Sequence, residues 1–211
     1  MNVARILVAA LSLGGMFVQA THLERLQRFA LGSFLSFFTI QSNLLAIAVL
    51  AIESGGGFGL SPRRRDALRG ATVLYLAITG IVYATLLSGL PAAKQLIHPF
   101  ADRVHHVLLP LWMAFDWIAL PPGKTIPYRR ALLWLGYPLA YLGFTLGRGV
   151  LTGWFPYPFL NPHGRGGWGA VAGTSVGITL MACGLIWLIL FIAGKRAAGG
   201  RGVGRQPAAA E

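Results

Sequence analysis

Apolar residues occur in six long runs, separated by shorter polar or Gly- and Pro-rich stretches. Each run approaches or exceeds the ~20 residues with which an α-helix crosses a ~30 Å hydrocarbon core. None shows the alternation of a membrane-facing β-strand. The pattern therefore predicts an all-α integral membrane protein, in which residues 1–195 form one bundle of six transmembrane helices. The predicted helices cover residues 3–20, 29–52, 71–90, 99–120, 130–150 and 168–194.

The two ends of the chain need separate treatment. The first apolar run fits either a cleaved signal peptide or a retained helix. It has Arg5, an apolar core and then the small residues of "VQA". A retained helix gives an even number of spans and places both termini on one side, and it is our expectation. Residues 196–211 are rich in Gly, Ala and Arg, which predicts a disordered basic tail on the cytoplasmic side.

The composition supports a membrane protein and orients it. Only 11% of the 211 residues are charged and 55% are hydrophobic, whereas soluble domains have about 25% charged residues. The net charge of +12 lies mainly at the ends of apolar runs, which favours an anionic membrane surface over nucleic acid as partner. Twelve of the 18 Lys and Arg residues fall on the side of the N-terminus. This bias predicts a multi-pass cell-membrane protein with both termini cytoplasmic.

The second predicted helix carries hydroxyl and amide side chains within its apolar sequence. Thr39 and Asn43 lie one helical turn apart on a stripe of small and polar residues. Such stripes often serve only close packing and hydrogen bonding between helices. A functional site at mid-depth is the alternative, since polar groups in hydrocarbon are costly.

Candidate chemistry continues in the fourth predicted helix, "HPFADRVHHVLLPLWMAFDW". His105 and Asp116 are eleven residues apart and share a helix face, but about 16 Å separates them along the axis, so they cannot touch. Asp102, three residues before His105, lies within reach of it. We therefore expect His105 to be functional and His106 to be an interfacial residue.

Further polar residues cluster toward the predicted outer side. Tyr141 and Arg148 share a stripe on the fifth helix, and Tyr157 lies in the loop "WFPYPFLNP", which three prolines stiffen. Arg148 fits either snorkelling to headgroups or binding of a carboxylate or phosphate. No common catalytic or nucleotide-binding motif is present. The single Cys183 excludes an internal disulfide and a Cys-based zinc site, and we expect neither metal nor cofactor.

Three stretches in order, "FFTIQSN", "VHHVLLPLW" and "LTGWFPYPFLNP", resemble the androgen-induced and androgen-dependent TFPI-regulating family of six-helix membrane proteins. The chain is similar also to an uncharacterised set of bacterial six-helix proteins. The resemblance implies an intramembrane threonine hydrolase of fatty acid esters of hydroxy fatty acids. In that family a Thr on the second helix and a His on the fourth are catalytic. They match Thr39 and, because Pro110 follows five residues later, His105.

The resemblance thus implies Thr39 as nucleophile and His105 as general base. We expect Asn43 to donate to the oxyanion and Asp102 to orient the imidazole. Arg148, Tyr157 and Tyr141 are then the expected substrate-binding residues, for a membrane lipid or an acidic amphiphile.

The alternative is a non-enzymatic membrane protein, such as a small transporter or a lipid-binding or assembly partner, that uses the same polar residues for packing. Thr39 lies about 15 Å into a helix that begins at Phe29, some 6 Å deeper than His105, and a start nearer Ser33 removes the difference. Convergence of Thr39 and His105 on one cavity distinguishes the two functions.

Overall fold

The computed structural model describes residues 1–202, and over that range the chain forms helices and no β-strand. The α-helices are α1 (Asn2–Arg25), α2 (Leu31–Phe34), α3 (Phe38–Ser54), α4 (Pro62–Val82), α5 (Pro91–Leu96), α6 (Pro99–Arg103), α7 (Leu109–Ala119), α8 (Tyr128–Ala131), α9 (Gly136–Thr152) and α10 (Gly167–Gly202). Two π-helical turns (Tyr83–Leu87 and Val104–Leu108) and two 3-10 turns (Leu132–Leu135 and Pro158–Leu160) join or extend them. The all-α prediction is confirmed.

Three helices are long and apolar enough to cross a membrane. They are Asn2–Arg25, Pro62–Leu87 and Gly167–Lys195. A fourth apolar helix, Phe38–Ser54, is shorter than these. The chain therefore has the character of a membrane protein.

The second predicted helix is not continuous. The chain forms α2, bends at residues 35–37, and begins α3 at Phe38, where Phe37 has an extended backbone. The predicted helix over 29–52 is thus wrong in its first third. Thr39 consequently lies in the first turn of α3 rather than about 15 Å along a helix, which removes the difference in depth from the histidines.

The third predicted helix begins nine residues earlier than its apolar run. Pro62 occupies the first turn of α4, where its missing N–H is not needed. The segment "RRRDALRG", which lies before the predicted helix over 71–90, is therefore helical. As a result Arg69, 5% exposed, faces the interior of the bundle.

The fourth segment is helical from 99 to 119, as predicted, but it widens into a π-helical turn at Val104–Leu108. Pro110 has no N–H, so the carbonyl of His106 loses its usual partner four residues on. In a regular α-helix the N–H of Leu109 would bond the carbonyl of His105, four residues back. Here it bonds the carbonyl of Val104, five residues back. Such π turns often occur at functional sites, and this one carries both histidines.

The remaining helices follow the prediction with changed ends. Residues 128–152 form α8, a 3-10 turn and α9 in succession. The last helix, α10, begins at Gly167 and continues to Gly202, beyond its predicted end at 194. The rest of the tail that we expected to be disordered, 203–211, lies outside the described residues.

The central element is α4, which packs against α3, α7 and α10. Its side chains Leu74 and Leu76 are fully buried, as are Leu50 of α3 and Ile186 of α10. Between α7 and α10, the indole N–H of Trp117 donates to the carbonyl of Ile189 at 3.1 Å. This packing brings α3, α4 and the π turn of the fourth segment together.

A buried ionic cluster joins the helices at the end of the bundle that holds the N-terminus. Asp116, 1% exposed, accepts two hydrogen bonds from Arg5, at 2.8 and 3.0 Å, and one from Arg69 at 3.1 Å. Arg5 also lies 3.7 Å from Glu53, and Arg69 lies 3.6 Å from Asp66. The cluster therefore connects α1, α3, α4 and α7, and it gives Asp116 a structural role.

Candidate functional site

Thr39, His106 and Asp102 form a continuous hydrogen-bonded chain at the other end of the bundle. The hydroxyl Oγ1 of Thr39 lies 3.3 Å from Nε2 of His106. Nδ1 of the same imidazole lies 2.8 Å from Oδ1 of Asp102. A hydroxyl, an imidazole and a carboxylate in this order are the arrangement by which hydrolases activate a nucleophile.

The imidazole of His106 is held at both ring nitrogens and on one face. The Tyr83 ring stacks on it, with 3.7 Å between ring centroids and 10° between planes. Tyr83 belongs to the π turn that ends the α4 segment, so two π turns meet at the site. Gly80 permits this approach, because a Cβ there would lie 3.2 Å from the carbonyl oxygen of His106. His106 is therefore fixed in orientation toward Thr39.

His105, which we expected to be the base, turns away from Thr39 toward α1. Its Nε2 lies 3.1 Å from the carbonyl of Ser12. Gly15 makes room for the ring, since a Cβ there would lie 2.9 Å from the same nitrogen. His105 and Asp116 both contact α1, as their shared helix face predicts. The choice between the two histidines was wrong in geometry: His106 is the one within reach of Thr39.

Thr39 sits in the first turn of α3, where main-chain N–H groups have no acceptor within the helix. The N–H of Thr39 donates to the hydroxyl of Tyr157 at 3.3 Å. Burial raises the pKa of Tyr157, so its phenol keeps a proton that it can donate in turn. The positive end of the α3 dipole and this phenol both lie beside the Thr39 hydroxyl, where negative charge would be stabilised.

Asn43 does not occupy the position expected of an oxyanion donor. Its side-chain amide donates to the main-chain carbonyl of Thr39 at 2.7 Å and is fully buried. Asn43 lines neither of the two cavities described below. Asn43 therefore stabilises the turn that carries Thr39. This is a structural role, the alternative that the sequence left open beside a functional one.

Two cavities meet at Thr39. The larger, of about 350 Å³, is lined by both histidines, Tyr83, Arg28 and Trp154, among others. The smaller, of about 90 Å³, extends between α9 and α10 and is lined mainly by apolar side chains. Thr39 and Tyr157 line both, whereas His106 lines only the larger.

The expected substrate-binding residues occupy different positions relative to these cavities. Tyr141 lines the smaller cavity and donates its hydroxyl to the carbonyl of Ser36 at 2.8 Å. Arg148 lines neither cavity; its guanidinium covers the Trp154 ring at 4.5 Å from the centroid. Arg28, which the sequence analysis did not single out, is the arginine that lines the larger cavity.

The spacing from Asp102 to the two histidines is compatible with His106 as the base. Asp102 lies four residues before His106 and three before His105, and side chains at both spacings meet on a helix. The sequence alone does not decide between them, because the π turn changes the angular position of every residue after Val104. The stacking of Tyr83 had no sequence signal that we can identify.

No cluster of three or more His, Cys, Asp or Glu side chains suitable for a metal ion occurs within residues 1–202. Comparisons of the chain with known protein families, with curated proteins and with solved structures find no match.

Proposed function

We propose that this protein is an intramembrane hydrolase of lipid esters, with Thr39 as nucleophile and His106 as general base. The single observation that carries the proposal is the chain of contacts from Thr39 through His106 to Asp102. Its Thr–His distance of 3.3 Å is long for a strong hydrogen bond, but catalytic hydrogen bonds commonly tighten only when substrate binds. The packing alternative explains a polar stripe but does not require a carboxylate behind the imidazole.

In the first step His106 Nε2 takes the proton of Thr39 Oγ1 as that oxygen attacks the ester carbonyl. A new Oγ1–C bond forms, and the carbonyl oxygen becomes an oxyanion. Asp102 accepts a hydrogen bond from Nδ1, which keeps Nε2 free as acceptor and stabilises the imidazolium that forms. The stacked Tyr83 ring keeps the imidazole in this orientation during the transfer.

The oxyanion is stabilised by the groups at the start of α3. The N–H groups of its first turn and the dipole of the 17-residue helix direct positive potential toward the developing charge. The Tyr157 phenol, whose oxygen already accepts from Thr39 N–H, supplies an additional donor. Collapse of the intermediate breaks the bond to the alcohol, which takes the proton from His106.

Several features favour a lipid as substrate. Both cavities are lined largely by apolar side chains, and the surrounding helices expose large apolar residues such as Leu133, Leu151 and Phe17. The resemblance of the three motifs to threonine hydrolases of hydroxy-fatty-acid esters points to the same class. An anionic headgroup would meet Arg28 at the wall of the larger cavity.

The proposed reaction predicts a covalent adduct at one residue. A fluorophosphonate probe should label the wild-type protein, and mass spectrometry of the digested protein should place the adduct on Thr39. Thr39→Ala and His106→Ala should lose the label, because the first lacks the hydroxyl and the second its base. Thr39→Ser keeps a hydroxyl and should retain labelling. Undiminished labelling of well-folded Thr39→Ala protein would contradict the assignment.

The proposal also includes a membrane topology of six spans with both termini in the cytoplasm. The three long apolar helices supply three of these spans; segments 31–54, 99–119 and 128–152 supply the others. Reporter fusions after Arg65 and Lys124 should report the cytoplasmic side, and one after His163 the opposite side, in keeping with the distribution of Lys and Arg. A cytoplasmic signal at His163 would refute this orientation.

A further inference from the structure

We infer that the two cavities divide the ester between them: the acyl chain occupies the smaller cavity, and the leaving alcohol occupies the larger. This inference rests on the proposed hydrolase function and adds the direction in which the substrate binds. It identifies the smaller cavity as the site that selects acyl-chain length.

The direction follows from the position of the base. The leaving alkoxide takes its proton from Nε2 of His106, so the alcohol oxygen must lie beside that nitrogen when the tetrahedral intermediate collapses. His106 lines the larger cavity and does not line the smaller. The alcohol therefore leaves on the side of the larger cavity. The acyl carbon, bonded to Thr39 Oγ1, directs its chain to the other cavity that Thr39 lines.

The second half of the reaction requires the same direction. After the alcohol has left, a water molecule must approach the acyl carbon from a side where Nε2 of His106 accepts its proton. The water's oxygen forms a bond to the carbonyl carbon, the bond to Thr39 Oγ1 breaks, and the proton returns to that oxygen. The emptied larger cavity, of about 350 Å³, gives this water access, whereas an acyl chain bound there would obstruct it.

The walls of the smaller cavity suit the first methylene groups of an acyl chain, and a longer chain continues past Ser175 along α10. Phe38, Ile78, Leu142, Ile178 and Ala182 line it, and it reaches the half-buried face of α10 at Ser175. The larger cavity is also lined largely by apolar side chains, but its wall adds the charged Arg28 and the amide of Gln19, whereas the smaller cavity offers only hydroxyl groups such as those of Thr79 and Thr179. An alcohol portion that carries its own charged group fits the wall with Arg28 better than the wall of the smaller cavity, which has no charged side chain.

A crossed selectivity experiment tests the division. Ser175→Phe places an aromatic ring in the smaller cavity, and Ser33→Phe places the same ring in the larger; both serines are half-buried. The purified full-length proteins are assayed with two ester series. One series varies the acyl chain from acetyl to dodecanoyl on a constant p-nitrophenyl group. The other varies the alcohol on a constant acetyl group. Val176→Phe, on the exposed adjacent position of α10, is the matched control.

Ser175→Phe should lower kcat/KM for dodecanoyl esters by about tenfold or more relative to acetyl esters, since a blocked pocket discriminates strongly by chain size. It should leave the ranking of the alcohols unchanged. Ser33→Phe should do the reverse, and Val176→Phe should change neither ranking.

Reversed effects of the two variants, equal effects on both series, or no effect on either would overturn the division. The proposed hydrolase function would still stand if Thr39→Ala abolished turnover in the same assay. If the wild-type protein hydrolysed no ester in either series, both proposals would fall.

Discussion

His106→Ala and Thr39→Ala should each lower the rate of ester hydrolysis by at least about 10³-fold. Each variant removes one member of a unit that transfers a single proton, and such losses usually cost several orders of magnitude in rate. His105→Ala should retain most of the activity, because the His105 ring contacts the Ser12 carbonyl and not Thr39. The measurement is kcat/KM with a short p-nitrophenyl ester and with a hydroxy-fatty-acid ester.

The adjacent histidines make this a matched comparison. Both side chains are buried, at 2% and 9% exposure, and both lie in one π turn, so either substitution disturbs the packing to a similar extent. Melting temperatures in detergent should accordingly fall by similar amounts for the two variants. A well-folded His106→Ala protein that hydrolyses as fast as wild type, or a His105→Ala protein that is inactive, would contradict the assignment of the base.

The resemblance and the helical geometry gave different information about this site. The ordered motifs located Thr39 and the His-containing segment, and the structure brings both to one place. The spacing to Pro110 favoured His105, yet the same proline causes the π turn that directs His106 to Thr39. The prediction of His105 as the base assumed a regular α-helix. The π turn at Val104–Leu108 departs from that geometry and brings His106 to Thr39.

The break before α3 had a similar effect. The apolar sequence from 29 to 52 continues through the bend, so hydropathy alone predicts one helix. The bend at residues 35–37 nevertheless places Thr39 at a helix terminus, where the positive end of the helix dipole lies beside its hydroxyl and its N–H donates to the Tyr157 hydroxyl. Hydrophobic pattern predicts that a segment is buried, but the position of a helix end depends on tertiary contacts such as that between Tyr141 and the Ser36 carbonyl.

The charges show what topology counting overlooks. Arg5 and Arg69 are two of the twelve Lys and Arg residues assigned to the side of the N-terminus. That assignment assumes that each arginine lies in a loop or at a helix end and faces the cytoplasm. Because α4 begins at Pro62, Arg69 instead lies on a buried helix face opposite Asp116. A lone carboxylate inside an apolar helix was itself a signal that a buried cation had to lie nearby.

This pairing leads to the largest expected effect on stability. Asp116→Ala removes the carboxylate that Arg5 and Arg69 share and leaves two buried guanidinium groups without their main partner. Loss of one partner from a buried ion pair typically lowers the free energy of unfolding by about 3–5 kcal/mol. The purified protein should therefore unfold at a clearly lower temperature in detergent, and its expression in the membrane should fall.

A double variant separates charge from packing. Arg5→Leu combined with Asp116→Leu removes one charge of each sign and restores apolar contact, while Arg69 keeps Asp66 at 3.6 Å and the carbonyl of Leu120 at 2.7 Å. The double variant should be more stable than Asp116→Ala, since replacing a buried pair by apolar residues costs little. Glu24→Ala, which removes an exposed carboxylate from α1, should unfold as the wild type does. An Asp116→Ala protein that matched the Glu24→Ala control in thermal unfolding would show that the cluster contributes little to the fold.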